Sequence, residues 1–271
     1  MEISVRKATN ATEKHIDLFA RVGFIARAVV YALMGLFAIL LFTGQSGGAA
    51  TDSKGSIRML LSQGWGKPLV ITLAAGLLAY AVFRIFQAVR DYDHRGSDLK
   101  GLGLRAGYFL GGLLHIALAY YALNLIFQFG SSANGGEQGL ARSIMSLPAG
   151  RFLLFALGGG VVAFGIGQIV IAVKEKFTSS LQLPTQGKKL LCNISKFGLI
   201  ARGLMFGAVG WLFIKSALSE NSAEARGVKG AWSFFSTQPF GNWVELIIAV
   251  GLIAFAFYGV VESRYRHIAR T

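Results

Sequence analysis

The chain has 271 residues, 54% of them hydrophobic and only 15% charged, with 35 glycines and 4 prolines. Soluble domains carry about 25% charged residues, whereas bilayer helices tolerate glycine because it lets neighbouring backbones approach closely, so the composition implies a polytopic membrane protein. The net charge of +14 does not make it a nucleic-acid binder, since no Lys/Arg cluster with interleaved aromatics stands outside the segments flanking apolar runs, and the single cysteine, Cys192, excludes an intramolecular disulfide framework or a multi-thiolate zinc site.

Six apolar runs, near 22–43, 67–89, 103–128, 151–173, 197–218 and 242–262, each reach the roughly 20 residues needed to cross a bilayer as a helix. The first is longer than the roughly 7–15 residues of a signal-peptide core and lacks an Ala-x-Ala end, so it is expected to be retained. Between the first and second runs, Ile57, Leu60 and Leu61 take helical spacing; Leu140, Ile144 and Met145 do so between the third and fourth, and Trp232, Phe234 and Phe235 between the fifth and sixth. Each predicts a one- or two-turn interfacial helix that lids the bundle, or lines an outer vestibule. The segments 1–27, 84–105, 174–202 and 264–271 hold 19 of the 27 Lys and Arg residues, and the opposite loops hold 8. By the positive-inside rule both termini are cytoplasmic and the hairpin loops face out, with Trp65, Trp232 and Trp243 at the outer edge.

The strongest signal is an internal repeat at offsets of 84 and then 91 residues. It aligns Gly23, Gly107 and Gly198 at the start of the odd-numbered helices, and Gly55, Gly139 and Gly230 in the outer loops. Gly66, Gly150 and Gly241 align before the even-numbered helices, and Gly76, Gly160 and Gly251 within them. The same offsets align Tyr31 with His115 and Phe206, and Tyr80 with Phe164 and Phe255. The seven extra residues lie between the second and third units, in the outer loop or the cytoplasmic linker. The units span approximately 18–92, 102–176 and 193–267 of a single membrane domain covering 1–271. Each crosses twice, so all three insert with the same polarity, as parallel repeats about an axis along the membrane normal. The predicted fold is all-α, six transmembrane helices as three tandem two-helix repeats in a pseudo-three-fold arrangement.

The odd helices carry Gly-x-x-Ala-Arg-(Gly/Ala)-x-x-(Tyr/Phe)-x-x-x-Gly, read at Gly23, Ala26, Arg27, Tyr31 and Gly35 and again at Gly198, Ala201, Arg202, Gly203, Phe206 and Gly210. The even helices carry Gly76, Leu77, Tyr80, Ala81 and Arg84. In these motifs the chain resembles, over nearly its whole length, the bacterial membrane family called domain of unknown function 1206. The resemblance implies a six-helix, three-unit protein of the bacterial inner membrane and no particular activity. The middle unit departs from the pattern, with Gly111 in place of the arginine and His115 in place of the aromatic, and Gly259 stands where the first unit has Arg84.

Arg27 lies six residues beyond Arg21 and Arg84 six before Arg90, so each sits roughly 9 Å inside its helix end, and Arg202 matches Arg27. Charges at such depth are costly. Three readings follow. The arginines snorkel to the phosphate plane; they face inward and hold an anionic headgroup or small anion through the guanidinium fork; or one is internally paired, Glu262 being placed to meet Arg202. His115 and Gln168 are candidates for packing or for lining a pore. His15, His94 and His267 are unclustered, so no metal site is expected. Gly101, Gly103 and Gly107 superficially suggest a dinucleotide fingerprint, but no strand precedes them. No nucleophile–base set or phosphate loop is present, so neither an enzyme nor a cofactor is expected. The sequence therefore points to a lipid- or anion-binding structural or accessory membrane component. The alternative is a small channel or transporter with a path along the pseudo-three-fold axis. The expected partners are membrane lipids, anionic ones included, with a homo-oligomer or a further membrane partner left open.

Overall fold

The computed structural model describes residues 2–43, 52–91, 96–128 and 136–266. Among these residues the chain is helical in nine α-segments: α1 Glu2–Phe42, α2 Ser53–Leu61, α3 Gly66–Arg90, α4 Leu99–Phe127, α5 Gly136–Met145, α6 Gly150–Val173, α7 Lys188–Leu218, α8 Gly227–Ser236 and α9 Gly241–Tyr265. Six are long and apolar enough to span a bilayer, over Asp17–Leu40, Gly66–Arg90, Gly101–Phe127, Gly150–Val173, Lys188–Leu218 and Gly241–Tyr265. They carry the six predicted runs, except that α7 starts at Lys188 rather than near 197. Asp52 and Asp98 set the starts of α2 and α4, their carboxylates accepting from the backbone N–H of Gly55 at 2.9 Å and Gly101 at 3.0 Å.

The three outer helices α2, α5 and α8 are nine or ten residues long, nearly three turns, and so longer than predicted. They bury Ile57, Ala141, Trp232 and Phe235 against the bundle, while Leu140, expected on the apolar face, points outward. Trp65 and Trp243 stand at the rim, 81% and 62% exposed. Trp232 is packed inside instead of joining that belt, because α8 turns it inward.

The spans pack in the order α4–α3–α1–α9–α7–α6. Three of these contacts join different units (α3–α4, α1–α9 and α6–α7), and two lie within a unit (α1–α3 and α7–α9). The sixth contact of a closed ring is missing: α4 and α6, the two spans of the middle unit, form no packed interface. The glycines explain the difference. A Cβ added at Gly23 would lie 2.5 Å from Cα of Tyr80, and one at Gly198 2.5 Å from Cα of Phe255, so within the first and third units only glycine admits the facing helix. Gly76 and Gly251 close against Ala26 and Ala201 in the same way. At the middle-unit counterparts, Gly107 and Gly160, an added Cβ meets nothing within 4 Å. Leu110, 56% exposed, stands there in place of the alanine that packs against glycine in the other two units.

Candidate functional site

Toward the end of the bundle that carries both termini, side chains of all six spans converge on a polar centre. Arg27 is its hub, only 3% exposed. The close approach at Gly23 brings Tyr80 of α3 within reach, and Arg27 Nη1 donates to the Tyr80 hydroxyl at 2.7 Å. On its other side α9 presents Glu262, also 3% exposed, and Arg27 Nη2 donates to Oε2 at 2.5 Å. The guanidinium lies over the rings of Phe24, Tyr80 and Phe255 at 5.1–5.4 Å. Desolvation, which would make a lone charge costly here, is thus met by a carboxylate, a phenol oxygen and three ring faces. The second carboxylate oxygen, Oε1, accepts from Arg266 at 2.7 Å.

Arg84 and Arg202 flank this hub. Arg84 Nε donates to the same Tyr80 hydroxyl at 2.7 Å and its Nη1 to Gln87 Oε1 at 3.0 Å, with Tyr108 of α4 stacked under it at 5.0 Å. Arg202 Nε donates to the Tyr31 hydroxyl at 3.1 Å and its Nη1 to Gln168 Oε1 of α6 at 2.9 Å, among the rings of Tyr31, Phe164, Phe206 and Phe255 at 4.6–5.6 Å. Both are part-buried, and among the described residues neither meets a carboxylate. Among the described residues, the three arginines of this centre meet one glutamate, which pairs with Arg27 and leaves Arg84 and Arg202 without a carboxylate.

The expectations for these residues divide. Glu262 pairs with Arg27 and Arg266, not with Arg202, because α9 turns this face to α1 whereas α7 turns Arg202 to α6. Arg27 is buried and paired with Glu262 rather than extended toward a helix end. His115 serves packing: its Nδ1 faces the Gly111 carbonyl at 2.6 Å, which can only accept, so Nδ1 donates, and its ring meets Tyr80 edge-on at 4.6 Å. Gln168 holds Arg202. Cys192 is buried at the start of α7. His94 and His267 lie outside the described residues, as does the His15 side chain.

The repeat is visible in how the units meet. The odd-helix ring of each unit meets the even-helix ring of its neighbour edge-on: Tyr31 with Phe255 at 4.7 Å, His115 with Tyr80 at 4.6 Å and Phe206 with Phe164 at 5.0 Å. A basic residue at the entry of the first two odd spans also grips the end of the neighbour's even span. Arg21 donates to the carbonyls of Ser263 and Arg264 at 2.6 and 3.3 Å, and Arg105 to those of Ala88 and Val89, the equivalent positions, at 2.7 and 3.1 Å. Cations at a helix C-terminus satisfy its orphan carbonyls and its dipole. Lys196, the third counterpart, reaches Glu175 at 3.5 Å instead. Sequence reasoning passed over Arg21, Arg105 and Arg266. The repeat offsets would have singled out the first two, and the i, i+4 spacing to Glu262 the third.

The family model described as Domain of Unknown Function (DUF1206) matches the chain three times, over residues 22–91, 106–175 and 197–266. The matches are of equal length, which places the seven extra residues in the linker between the second and third copies, where Lys176–Ser180 forms a 3₁₀ turn and Leu181 bridges to Arg266. An uncharacterised protein of Bacillus subtilis (strain 168), YxxB, is 29% identical over 265 residues, which cover 97% of this chain and 95% of that protein. No solved structure matches.

Proposed function

The chain belongs to the DUF1206 family, as three tandem copies of that domain in a multi-pass membrane protein, and from this premise we propose that it binds an oxyanion, a phosphate or carboxylate group, between Arg84 and Arg202. The observation that carries the reading is the charge surplus: two part-buried guanidiniums inside apolar spans, neither with a carboxylate among the described residues, beside a third that is ion-paired with Glu262. Ionisable groups inside a membrane pair with one another or mark a ligand path, and arginine presents the planar fork that suits oxyanions. The proposed orientation puts both termini and the Lys/Arg-rich face in the cytoplasm of a cell whose inner membrane holds the protein. The role is accessory or structural rather than catalytic. Binding is favoured over conduction because Tyr31, Tyr80, Phe255 and the Arg27–Glu262 pair fill the space between the spans where a path would run.

The test is native mass spectrometry of the protein from mild detergent, with phosphatidylglycerol and, separately, inorganic phosphate supplied. The parent should retain one or both at defined stoichiometry, and Arg84→Gln/Arg202→Gln should lose them. Equal retention by both proteins would reduce the arginines to snorkelling anchors.

A further inference from the structure

The two spans of the middle unit stand apart although both keep the glycines that close the other units. In the first and third units the even-helix ring is sealed against the odd helix, Tyr80 being 2% and Phe255 1% exposed; their counterpart Phe164 is 41% exposed. The faces that would have met carry Gly103, Gly107 and Gly111 on α4 and Gly160 on α6, none with an atom within 4 Å of an added Cβ. The gap is therefore uncovered at these glycines, with the apolar side chain of Leu110 exposed beside them. At its foot each wall touches one of the two arginines that have no acidic partner among the described residues. Tyr108 of α4 lies under Arg84, and Phe164 and Gln168 of α6 hold Arg202. An apolar slot that ends between two cations is complementary to a molecule with an apolar tail and an anionic head.

Building on the oxyanion reading of Arg84 and Arg202, we propose that the gap between α4 and α6 is a lateral berth for an anionic phospholipid. Its phosphate lies between the two guanidiniums, and an acyl chain lies along Gly107 and Gly160. A free anion would need only the arginines. The gap is what commits the site to a lipid, and two residues beside it, Leu110 for alanine and Gly111 for arginine, depart from the pattern in the middle unit alone among the three.

The experiment uses nanodiscs of phosphatidylcholine containing phosphatidylglycerol with a diazirine in its acyl chain, irradiated and mapped by peptide mass spectrometry. Adducts should concentrate on α4 and α6, and Gly107→Phe/Gly160→Phe should lower them at least five-fold. Both new side chains would enter open space, so this variant should elute and unfold as the parent does. Inorganic phosphate binding to the detergent-solubilised protein, measured in parallel, should persist in the filled variant and vanish in Arg84→Gln/Arg202→Gln. Adducts spread evenly over the spans, or undiminished by filling, would overturn the berth, while the phosphate measurement decides the oxyanion reading separately. A parent that is dimeric by native mass and becomes monomeric on filling would assign the gap to a second copy, and would equally overturn it.

Discussion

The Arg27–Glu262 pair makes an asymmetric prediction. Glu262 is shared by two guanidiniums, Arg27 through Oε2 and Arg266 through Oε1, whereas Arg27 has one carboxylate. Glu262→Gln leaves Arg27 charged and 3% exposed with only Tyr80 as a hydrogen-bond partner beyond the amide. Removing one member of a buried pair costs about 3–5 kcal/mol because the other is stranded. The amide keeps one acceptor oxygen, so roughly 3 kcal/mol is expected. Arg27→Met strands nothing, since Glu262 keeps Arg266, and the methionine fills much of the aliphatic volume; roughly 1–2 kcal/mol is expected, near the worth of one hydrogen bond to a charged group. In the double variant the cost of Glu262→Gln should shrink, a coupling of roughly 1–2 kcal/mol, within the range for residues in direct contact. Reversible unfolding in mixed dodecyl maltoside–SDS micelles reads all four proteins. If Arg27→Met cost as much as Glu262→Gln, or if the two effects added within about 0.5 kcal/mol, the claim that Glu262 neutralises a buried hub would be refuted.

The same titration checks two further expectations. Tyr80→Phe deletes the oxygen that accepts from both Arg27 and Arg84, and with each guanidinium retaining a second partner it should cost roughly 2–3 kcal/mol. His115→Phe restores an aromatic like that of the other units and should stay within about 1 kcal/mol of the parent. Gly23→Ala and Gly198→Ala each drive a methyl into the facing backbone and should cost about 1–3 kcal/mol, the usual price of overpacking, whereas Gly107→Ala should be neutral or stabilise by up to about 1 kcal/mol through helix propensity. A Gly107→Ala protein as unstable as Gly23→Ala would show that the middle unit closes like its neighbours. For orientation, a C-terminal green fluorescent protein fusion should fluoresce and an alkaline phosphatase fusion at the same point should be inactive; the reverse pattern would invert the proposed topology.

Much of the fold was legible because it rests on properties that a linear sequence displays. Span count follows from apolar length, and the three units from glycines at fixed offsets. The middle unit's departures, Gly111 and His115, were visible too, but their consequence was not, because whether α4 meets α6 depends on packing between helices that a linear sequence does not display. The pairing of Glu262 failed for a related reason. Residues at similar depth on three helices are equivalent in sequence, and only the packing order decides that Glu262 faces α1 and Arg202 faces α6. Trp232 was assigned to the rim from its position alone, whereas the rotation of α8 turns it into the core.

The placement of the buried ion pair follows from connectivity. Of the three junctions between units, α3–α4 and α6–α7 join consecutive spans, and the linkers at 91–98 and 174–187 hold those spans together. The α1–α9 junction joins the first span to the last and has no linker, so packing and polar contacts must do all that the chain does elsewhere. It is here that the buried Arg27–Glu262 pair lies, with Arg21 on the carbonyls of Ser263 and Arg264 beside it. The linked α6–α7 junction has the Arg202–Gln168 hydrogen bond, with no carboxylate, at the matching depth, and α3–α4 has Gly111 where the arginine would be. Buried ion pairs add little net stability but fix register, because every alternative alignment strands a charge. A repeat whose copies are nearly alike needs such a marker at the one junction where the chain cannot dictate the neighbour: without it, α1 could dock on the even helix of another unit, which presents the same glycines and the same aromatic.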